Sequence, residues 1–316
     1  MRYYIALDGG TSNTRLRLIS DEGVVSVKKL PIGAGSAGGR EKWCAAICDA
    51  AHSLLEENGL KREEIRAVIG AGMITSEYGL CPLTHLAAPA GIAELAAGMK
   101  EVEIAGLSIP CFFIPGVKQV GDCAEGSDMM RGEEAEVIGL LPYAGRDAVY
   151  VLPGTHAKHV FVDGEGRISS FKTFMTGEMI GAIAGGTILR DAVDLSVEDF
   201  DRDALIRGCD FAIQEGMLAA LFKVRIMKNL FVADKKACYS FFLGALLSDE
   251  IRSLRKYGKK SVLVAGKPSL RLATEFLLRN GSEAELVTCP ENAIENASAM
   301  GVIEIYKYAE KVKCLK

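Results

Sequence analysis

The sequence is poor in the residues that carry metal or redox chemistry in compact motifs. It has only four histidines, and its nine cysteines form no C-x-x-C pair. They are scattered over positions 44, 48, 81, 111, 123, 209, 238, 289 and 314. An odd, dispersed set argues against a disulfide framework and against a structural zinc site. Reduced thiols in a cytosolic protein are the simplest reading, some of them as small core residues. Long apolar runs are missing as well: none approaches the ~18 residues that span a membrane. An acid arrives at Asp8, too early for a signal-peptide core. The cytoplasm is therefore the expected location, and no membrane partner is expected. Nor is there an excess of positive charge. The formal net charge of −4 removes any global electrostatic case for a nucleic-acid partner. Low-complexity stretches and long linkers are absent too.

What is there is an ordinary globular balance, 49% hydrophobic and 25% charged, over 316 residues. At ~100–200 residues per domain this length predicts two domains, each able to bury a core unaided. Residues 3–8, 14–19 and 24–30 read as three strands joined by Gly-, Ser-, Thr- and Asn-rich turns. Helical spacing of Trp43, Ile47, Ala50, Ala51, Leu54 and Leu55 predicts a helix from Arg40 to Asn58. Strands at 65–69 and 110–114 and a helix at 132–141 follow. Then the opening pattern returns, with strands at 148–152, 158–162 and 168–174. Helices are expected around 177–192, 202–230, 235–257, 268–280 and 291–312, with strands around 261–265 and 284–288. Two such meanders predict a duplicated α/β architecture, with a boundary near the turn-like Pro142–Asp147 and a cleft between the halves.

The chemistry concentrates in Asp8-Gly9-Gly10-Thr11-Ser12-Asn13. An acid at the end of a buried strand can hold Mg²⁺ through water, because magnesium keeps most of its hydration shell. Glycines let a turn press backbone N–H groups against phosphate oxygens. Thr11, Ser12 and Asn13 add side-chain donors, and Arg15 adds a charge if its face of the second strand is turned to the site. An ordinary tight hairpin uses the same residues, with Asp8 capping the Thr11 or Ser12 N–H. The second meander favours function: Gly154, Thr155, His156 and Lys158 offer matching N–H, hydroxyl and cationic groups. A rival signal, Gly33-Ala34-Gly35-Ser36-Ala37-Gly38, fits G-x-G-x-x-G. It follows the third strand of a meander, and the next strand ends at Gly70-Ala71-Gly72 without a ribose-binding acid. It reads as a flexible loop at the cleft, not a dinucleotide site.

With both turns in hand, the chain resembles the actin–hexokinase superfamily of ATP-dependent kinases. More closely it resembles the 2-dehydro-3-deoxygalactonokinase family. The resemblance rests on Tyr4–Arg15, Ala71–Ser76, Ile114–Val117, Met130–Glu134, Val151–Lys158, Phe174–Met179 and Val264–Gly266, in that order. Arg131-Gly132-Glu133-Glu134 and Pro153–Lys158 are the specific stretches. Departures occur at Gly9, Thr75 and His159, where the family often has Trp, Gly and Trp, and at Lys267-Pro268.

This resemblance implies a duplicated two-domain actin/hexokinase-like (ribonuclease H-like) α/β fold with an interdomain cleft. Residues 1–141 would hold the first phosphate hairpin and the sugar-acid site, and 142–316 the second hairpin and the adenosine site. It implies transfer of the ATP γ-phosphoryl, with Mg²⁺, to the 6-hydroxyl of 2-dehydro-3-deoxy-D-galactonate in galactonate breakdown. A kinase for a related sugar or sugar acid, or a non-catalytic sugar-binding regulator on the same fold, are the alternatives. ATP consumption with a sugar acid separates them. The expected partners are a small sugar acid and ATP, with a homodimer possible. Asp8 is expected to be the metal-linked carboxylate, and Gly10, Thr11, Ser12, Asn13, Arg15, Gly154, Thr155, His156 and Lys158 the phosphate contacts. As plain structure, Lys158 would be a solvated residue at a strand start. The superfamily places its general base at the start of the helix before the second hairpin. Glu133, Glu134 and Asp128 are the nearby acids, with Glu133 preferred. Acids in a first helical turn also complement the macrodipole, worth about 0.3–1 kcal/mol each, which suits the other two. Ser76, Arg131 and Glu178 are placed at the sugar site, Arg131 as a bidentate partner for its carboxylate or simply paired with Glu134 or Glu178. Gly266 is the adenosine-contacting corner. His52 and His85 have no evident partners in sequence and read as core or surface residues.

Overall fold

A computed structural model describes residues 2–36, 38–258 and 260–312. Cys314 and Ala37 lie outside that set. The chain forms two compact units. One comprises Met1–Arg146, Val162–Phe171 and Pro290–Lys316, the other Asp147–Phe161 and Lys172–Cys289.

The first unit opens with the expected meander: β1 (Tyr3–Gly9), β2 (Thr14–Ser20) and β3 (Gly23–Leu30). Helix α1 (Arg40–Glu57) follows, then β4 (Ile65–Gly72), β5 (Leu86–Ala87), α2 (Ile92–Gly98), β6 (Lys100–Val102) and β7 (Cys111–Phe113). β8 (Val117–Gln119), β9 (Asp128–Met130) and α3 (Glu133–Ala144) complete its N-terminal part. The main sheet has the order β3-β2-β1-β4-β7-β6, and β5, β8 and β9 form a separate small sheet. β1 pairs antiparallel with β2 and parallel with β4. Ile5 and Leu7 alternate toward a core shared with Leu16, Leu18, Trp43, Ile47 and Leu54, so α1 covers that face of the sheet.

A second sheet, most of it in the second unit, repeats the pattern. β10 (Ala148–Leu152), β11 (Ala157–Val162) and β12 (Ile168–Phe174) lead into α4 (Thr176–Gly186), α5 (Arg202–Glu215), α6 (Met217–Leu230) and α7 (Lys235–Arg255). β13 (Ser261–Val264), α8 (Pro268–Gly281) and β14 (Glu285–Leu286) follow. The sheet order β12-β11-β10-β13-β14 matches β3-β2-β1-β4-β7 strand for strand. That correspondence is the duplication the two meanders predict. The last described helix, α9 (Glu291–Lys311), packs on α3, α2 and β1 of the first unit.

Three expectations need correction. The segment 202–230 is two helices, broken at Gly216, whose φ of 93° suits glycine and not a continuing helix. The helix expected over 177–192 stops at Gly186. α3 runs through Pro142 and is closed by Gly145 at φ 74°, so Pro142 does not open the turn expected there. Among the described residues, no helix is long and apolar enough to cross a membrane. The eight described cysteines form no disulfide.

Candidate active site

Asp8 sits at the end of β1, opposite Arg15 on β2 and Ala71 on β4. The Arg15 guanidinium lies 3.5 Å from its carboxylate, and 30% of the Asp8 side chain still meets solvent. The turn beyond it is tightly built. Gly10 N–H donates to the Asn13 carbonyl at 2.9 Å, so this donor closes the turn and is not offered to a phosphate. Thr11, Ser12 and Asn13 are exposed. The glycine-rich segment of the rival motif is a buttress for this turn. Ala34 N–H donates to Gly10 O at 3.0 Å and Gly35 N–H to Thr11 O at 2.8 Å. A Cβ on Gly33 would stand 2.4 Å from Gly10 O, so only glycine permits the contact. Gly33–Gly35 of the expected flexible loop are thus docked. Behind it, Trp43 Nε1 donates to Thr14 Oγ1 (2.8 Å), which donates to Ile32 O (2.6 Å). A side chain at position 9 would meet Ile74 and Trp43, which occupy that space here.

The N-terminus of α3 meets the same strand ends. Gly132, at φ 111°, lies so close to Gly72 that an added Cβ would be 3.2 Å from the Gly72 Cα. Glu133 starts the helix and acts on Asp8 electrostatically. Burial pushes the Asp8 carboxyl above its ordinary range and Glu133 adds to this, while Arg15 and Arg17 pull it down. Glu136, one turn further along α3, belongs to the same cluster. Burial, then the charges of Glu133 and Asp8, push its carboxyl up to about 8. Arg17 is 4% exposed and donates to Glu295 O on α9 at 2.9 Å. Glu136 and Arg17 were not singled out from the sequence. The i, i+3 spacing from Glu133 and the i+2 spacing from Arg15 were the available signals.

The other candidate acids take different places. Glu134 is fully buried, and both its oxygens accept from Gly132 N–H at 2.8 Å. Burial and the neighbouring Glu133 push it up to about 8. Asp128 lies on β9, in the small sheet, and accepts from Met129 N–H at 2.7 Å.

Arg131 turns its guanidinium to the 75–85 loop. Nη1 donates to Thr75 O and Thr75 Oγ1, both at 2.6 Å. Nη2 reaches Leu83 O at 3.1 Å and His85 Nδ1 at 3.2 Å. Arginine only donates, so His85 Nδ1 accepts and the ring is neutral. Burial, then the charges of Arg131 and Lys118, hold the His85 pKa down to about 4. His85 therefore has the partner that the sequence did not reveal. Ser76 is buried and donates to Met73 O at 2.7 Å.

In the second unit, two separate stretches converge on the Pro153–Lys158 turn. Glu178 N–H donates to Thr155 O at 3.0 Å, and Glu178 Oε2 lies 2.7 Å from His156 Nε2. A Cβ on Gly177 would be 2.1 Å from Gly154 O. Gly266 (φ 82°) turns the chain after β13, and a Cβ there would be 2.5 Å from Pro153 O. Thr155 and His156 are exposed. Lys158 is 4% exposed, so it is not the solvated strand residue of the plain structural reading.

Asp8 is the residue suited to Mg²⁺. Among the described residues no group of three or more His, Cys, Asp or Glu side chains is placed to cage a metal ion. A part-exposed carboxylate beside a turn whose Thr11, Ser12 and Asn13 are exposed fits the water-mediated mode instead.

The chain is similar to known proteins over most of its length. A family model described as 2-keto-3-deoxy-galactonokinase matches residues 8–304. The 2-dehydro-3-deoxygalactonokinase of Escherichia coli (strain K12) is 29% identical over 255 residues, 80% of this chain and 81% of that protein. A crystal structure of a candidate 2-dehydro-3-deoxygalactonokinase from Sinorhizobium meliloti is similar at a TM-score of 0.78 and 24% identity, covering 97% of this chain and 96% of that one. Component A of the (R)-2-hydroxyglutaryl-CoA dehydratase of Acidaminococcus fermentans shares the fold at a TM-score of 0.55 and 15% identity, over 98% and 100% of the two chains. The fold is the duplicated actin/hexokinase-like α/β fold.

Proposed function

The chain belongs to the 2-keto-3-deoxy-galactonokinase family, and on that premise we propose that it transfers the γ-phosphoryl of Mg·ATP to the 6-hydroxyl of 2-dehydro-3-deoxy-D-galactonate. The reaction is one step of galactonate breakdown, in the cytoplasm. One observation carries the residue assignment: the α3 N-terminus, with Glu133 as its first residue, packs on Gly72 at the strand ends beside Asp8, where a Cβ on Gly132 would be 3.2 Å from the Gly72 Cα and one on Gly72 3.6 Å from the Asp8 carboxylate.

Asp8 orients the hydrated Mg²⁺, which when bound neutralises charge on the transferring phosphates. Thr11, Ser12 and Asn13 donate to phosphate oxygens, and Arg15 supplies positive charge beside them. Glu133 takes the proton of the attacking hydroxyl. It is favoured over Glu134, which is fully buried with both oxygens on Gly132 N–H, whereas Glu133 is part-exposed and its Oε2 accepts from Arg131 N–H at 2.9 Å, and over Asp128, which lies in the small sheet. Glu136 and Arg17 tune the charge around Asp8 and Glu133. Arg131 works at one remove, fixing the loop that carries Ser76 to shape the sugar site. In the second unit, Thr155, His156 and Lys158 contact the ATP phosphates and the Gly266 corner contacts adenosine. The sugar-acid site and first phosphate turn then belong to the first unit, and the second turn and adenosine corner to the other.

The test compares Asp8→Asn, Glu133→Gln, Glu134→Gln and Asp128→Asn. Asp8→Asn is expected to keep the wild-type circular dichroism and lose about 10²-fold or more in kcat. Glu133→Gln is expected to lose more kcat than the other two glutamate and aspartate variants. Near-normal turnover in Asp8→Asn removes Asp8 from the metal site, and full turnover in Glu133→Gln removes it as the base.

A further inference from the structure

Beneath the second phosphate turn lies a buried polar triad. Glu250, on α7, is 1% exposed in its side chain, and His159, on β11, is 0% exposed. A carboxylate taken out of water is costly unless both its oxygens find donors. Here both do. His159 Nε2 donates to one oxygen at 3.0 Å, and Thr176 Oγ1 donates to the other. His159 Nδ1 is left buried with no hydrogen-bond partner among the described residues. Its ring lies 4.6 Å from that of Phe174, two residues before Thr176.

The two donors stand next to the site on two different elements. His159 follows Lys158 on β11, and Thr176 is the first residue of α4, directly before Gly177 and Glu178. Gly177 has no slack against Gly154, and Glu178 is tied to both Thr155 and His156. A shift of the start of α4 would therefore move Glu178 and the Gly154–His156 turn together.

We propose that Glu250 is a positioning residue. Its carboxylate locks the Lys158-bearing strand and the Glu178-bearing helix start into the spacing that shapes the turn for nucleotide phosphate. The proposal rests on the reading that Gly154–Lys158 binds phosphate. Neither Glu250 nor Thr176 touches the nucleotide; each acts through the turn.

The experiment measures Mg·ADP binding by titration calorimetry and, separately, the KM of the sugar acid, in Thr176→Val, Thr176→Ser and Glu250→Gln. Thr176→Val keeps the side-chain shape and deletes the donor. It is expected to weaken Mg·ADP binding about tenfold while the sugar-acid KM stays within about twofold. Thr176→Ser, which restores the hydroxyl, is expected to bind within about twofold of wild type, and adding Glu250→Gln to Thr176→Val to cost little more. Unchanged Mg·ADP affinity in folded Thr176→Val, or failure of Thr176→Ser to restore it, overturns the proposal. Should Thr176→Val not fold, unchanged affinity in Glu250→Gln overturns it equally. Lys158→Ala separates the two levels. If it too leaves Mg·ADP affinity unchanged, the phosphate reading of the turn fails. If it weakens binding and Thr176→Val does not, the positioning role alone fails.

Discussion

At the residue scale, the site is held by a few side chains whose environments differ sharply although their types do not. Glu133 and Glu134 are neighbours, yet one starts the helix beside Asp8 and the other is sealed inside. The seal has a pH signature. An unfolded glutamate titrates near ~4.3, whereas burial holds folded Glu134 up at about 8. Below the first value the carboxyl is protonated in both states. Between the two values only the unfolded chain gives up the proton, so this group's contribution to stability falls as pH rises through that window. Glu134→Gln keeps an acceptor for Gly132 N–H and has no proton to lose. Its urea midpoint, relative to wild type, should therefore rise from pH 5 to pH 8, and a flat difference would deny the raised pKa. Gly33 supplies a second residue-level prediction. Gly33→Ala forces a Cβ to 2.4 Å from Gly10 O and should cost about 1–3 kcal/mol. Thermal melting measures this, and weakened ATP binding should accompany it as the Asp8–Asn13 turn is displaced. The sequence showed that this segment was rich in glycine. It did not show that the glycines serve a turn some twenty residues earlier, because close backbone approach leaves no mark on composition. Glu136 was missed for a related reason: its i, i+3 spacing from Glu133 puts it on the same helix face, but a helical glutamate reads as surface until its neighbours are known.

At the level of elements, the strands and their turns were the most readable. Asp8–Asn13 and Pro153–Lys158 end buried strands with residues that few other local structures use, and both turns are where the sequence placed them. What failed were features set by a single backbone angle or by distant packing. The apolar periodicity runs on across Gly216, so α5 and α6 read as one helix until the φ of 93° is seen. β5, β8 and β9 are two or three residues each, too short to show alternation. The return of α9 to α3 is a contact across about 150 residues of sequence, which no local pattern encodes. That contact is backbone-tight. A Cβ on Gly301 would stand 1.7 Å from Ala135 O, and one on Gly139 would stand 2.0 Å from Ala297 O. Gly301→Ala should therefore pry α9 from α3 and cost about 3 kcal/mol. Because α3 carries Glu133, kcat should fall along with the melting temperature. A variant that loses stability and keeps full kcat would show that the α3 terminus is held by the strand ends alone.

Across the whole molecule, duplication explains why two such turns exist at all. The strand order β3-β2-β1-β4-β7 recurs as β12-β11-β10-β13-β14, and each copy ends its first strand in a Gly- and Thr-containing turn. The copies have diverged in what surrounds that turn: carboxylates and arginines around Asp8, a histidine, a lysine and a glycine corner around Thr155. On the proposed reading, the first unit's turn carries the metal and proton chemistry and the second unit's turn the nucleotide contacts. The turns speak for phosphoryl transfer, and the match over residues 8–304 speaks for the sugar acid. The measurement that bears most directly on both is a coupled ADP-release assay of the purified protein with Mg·ATP across a panel of 2-keto-3-deoxy sugar acids, the galactonate and gluconate forms included. Fast ADP release with 2-dehydro-3-deoxy-D-galactonate, giving the 6-phosphate and abolished by Asp8→Asn, is the predicted result; no ATP consumption with any acid of the panel would contradict it.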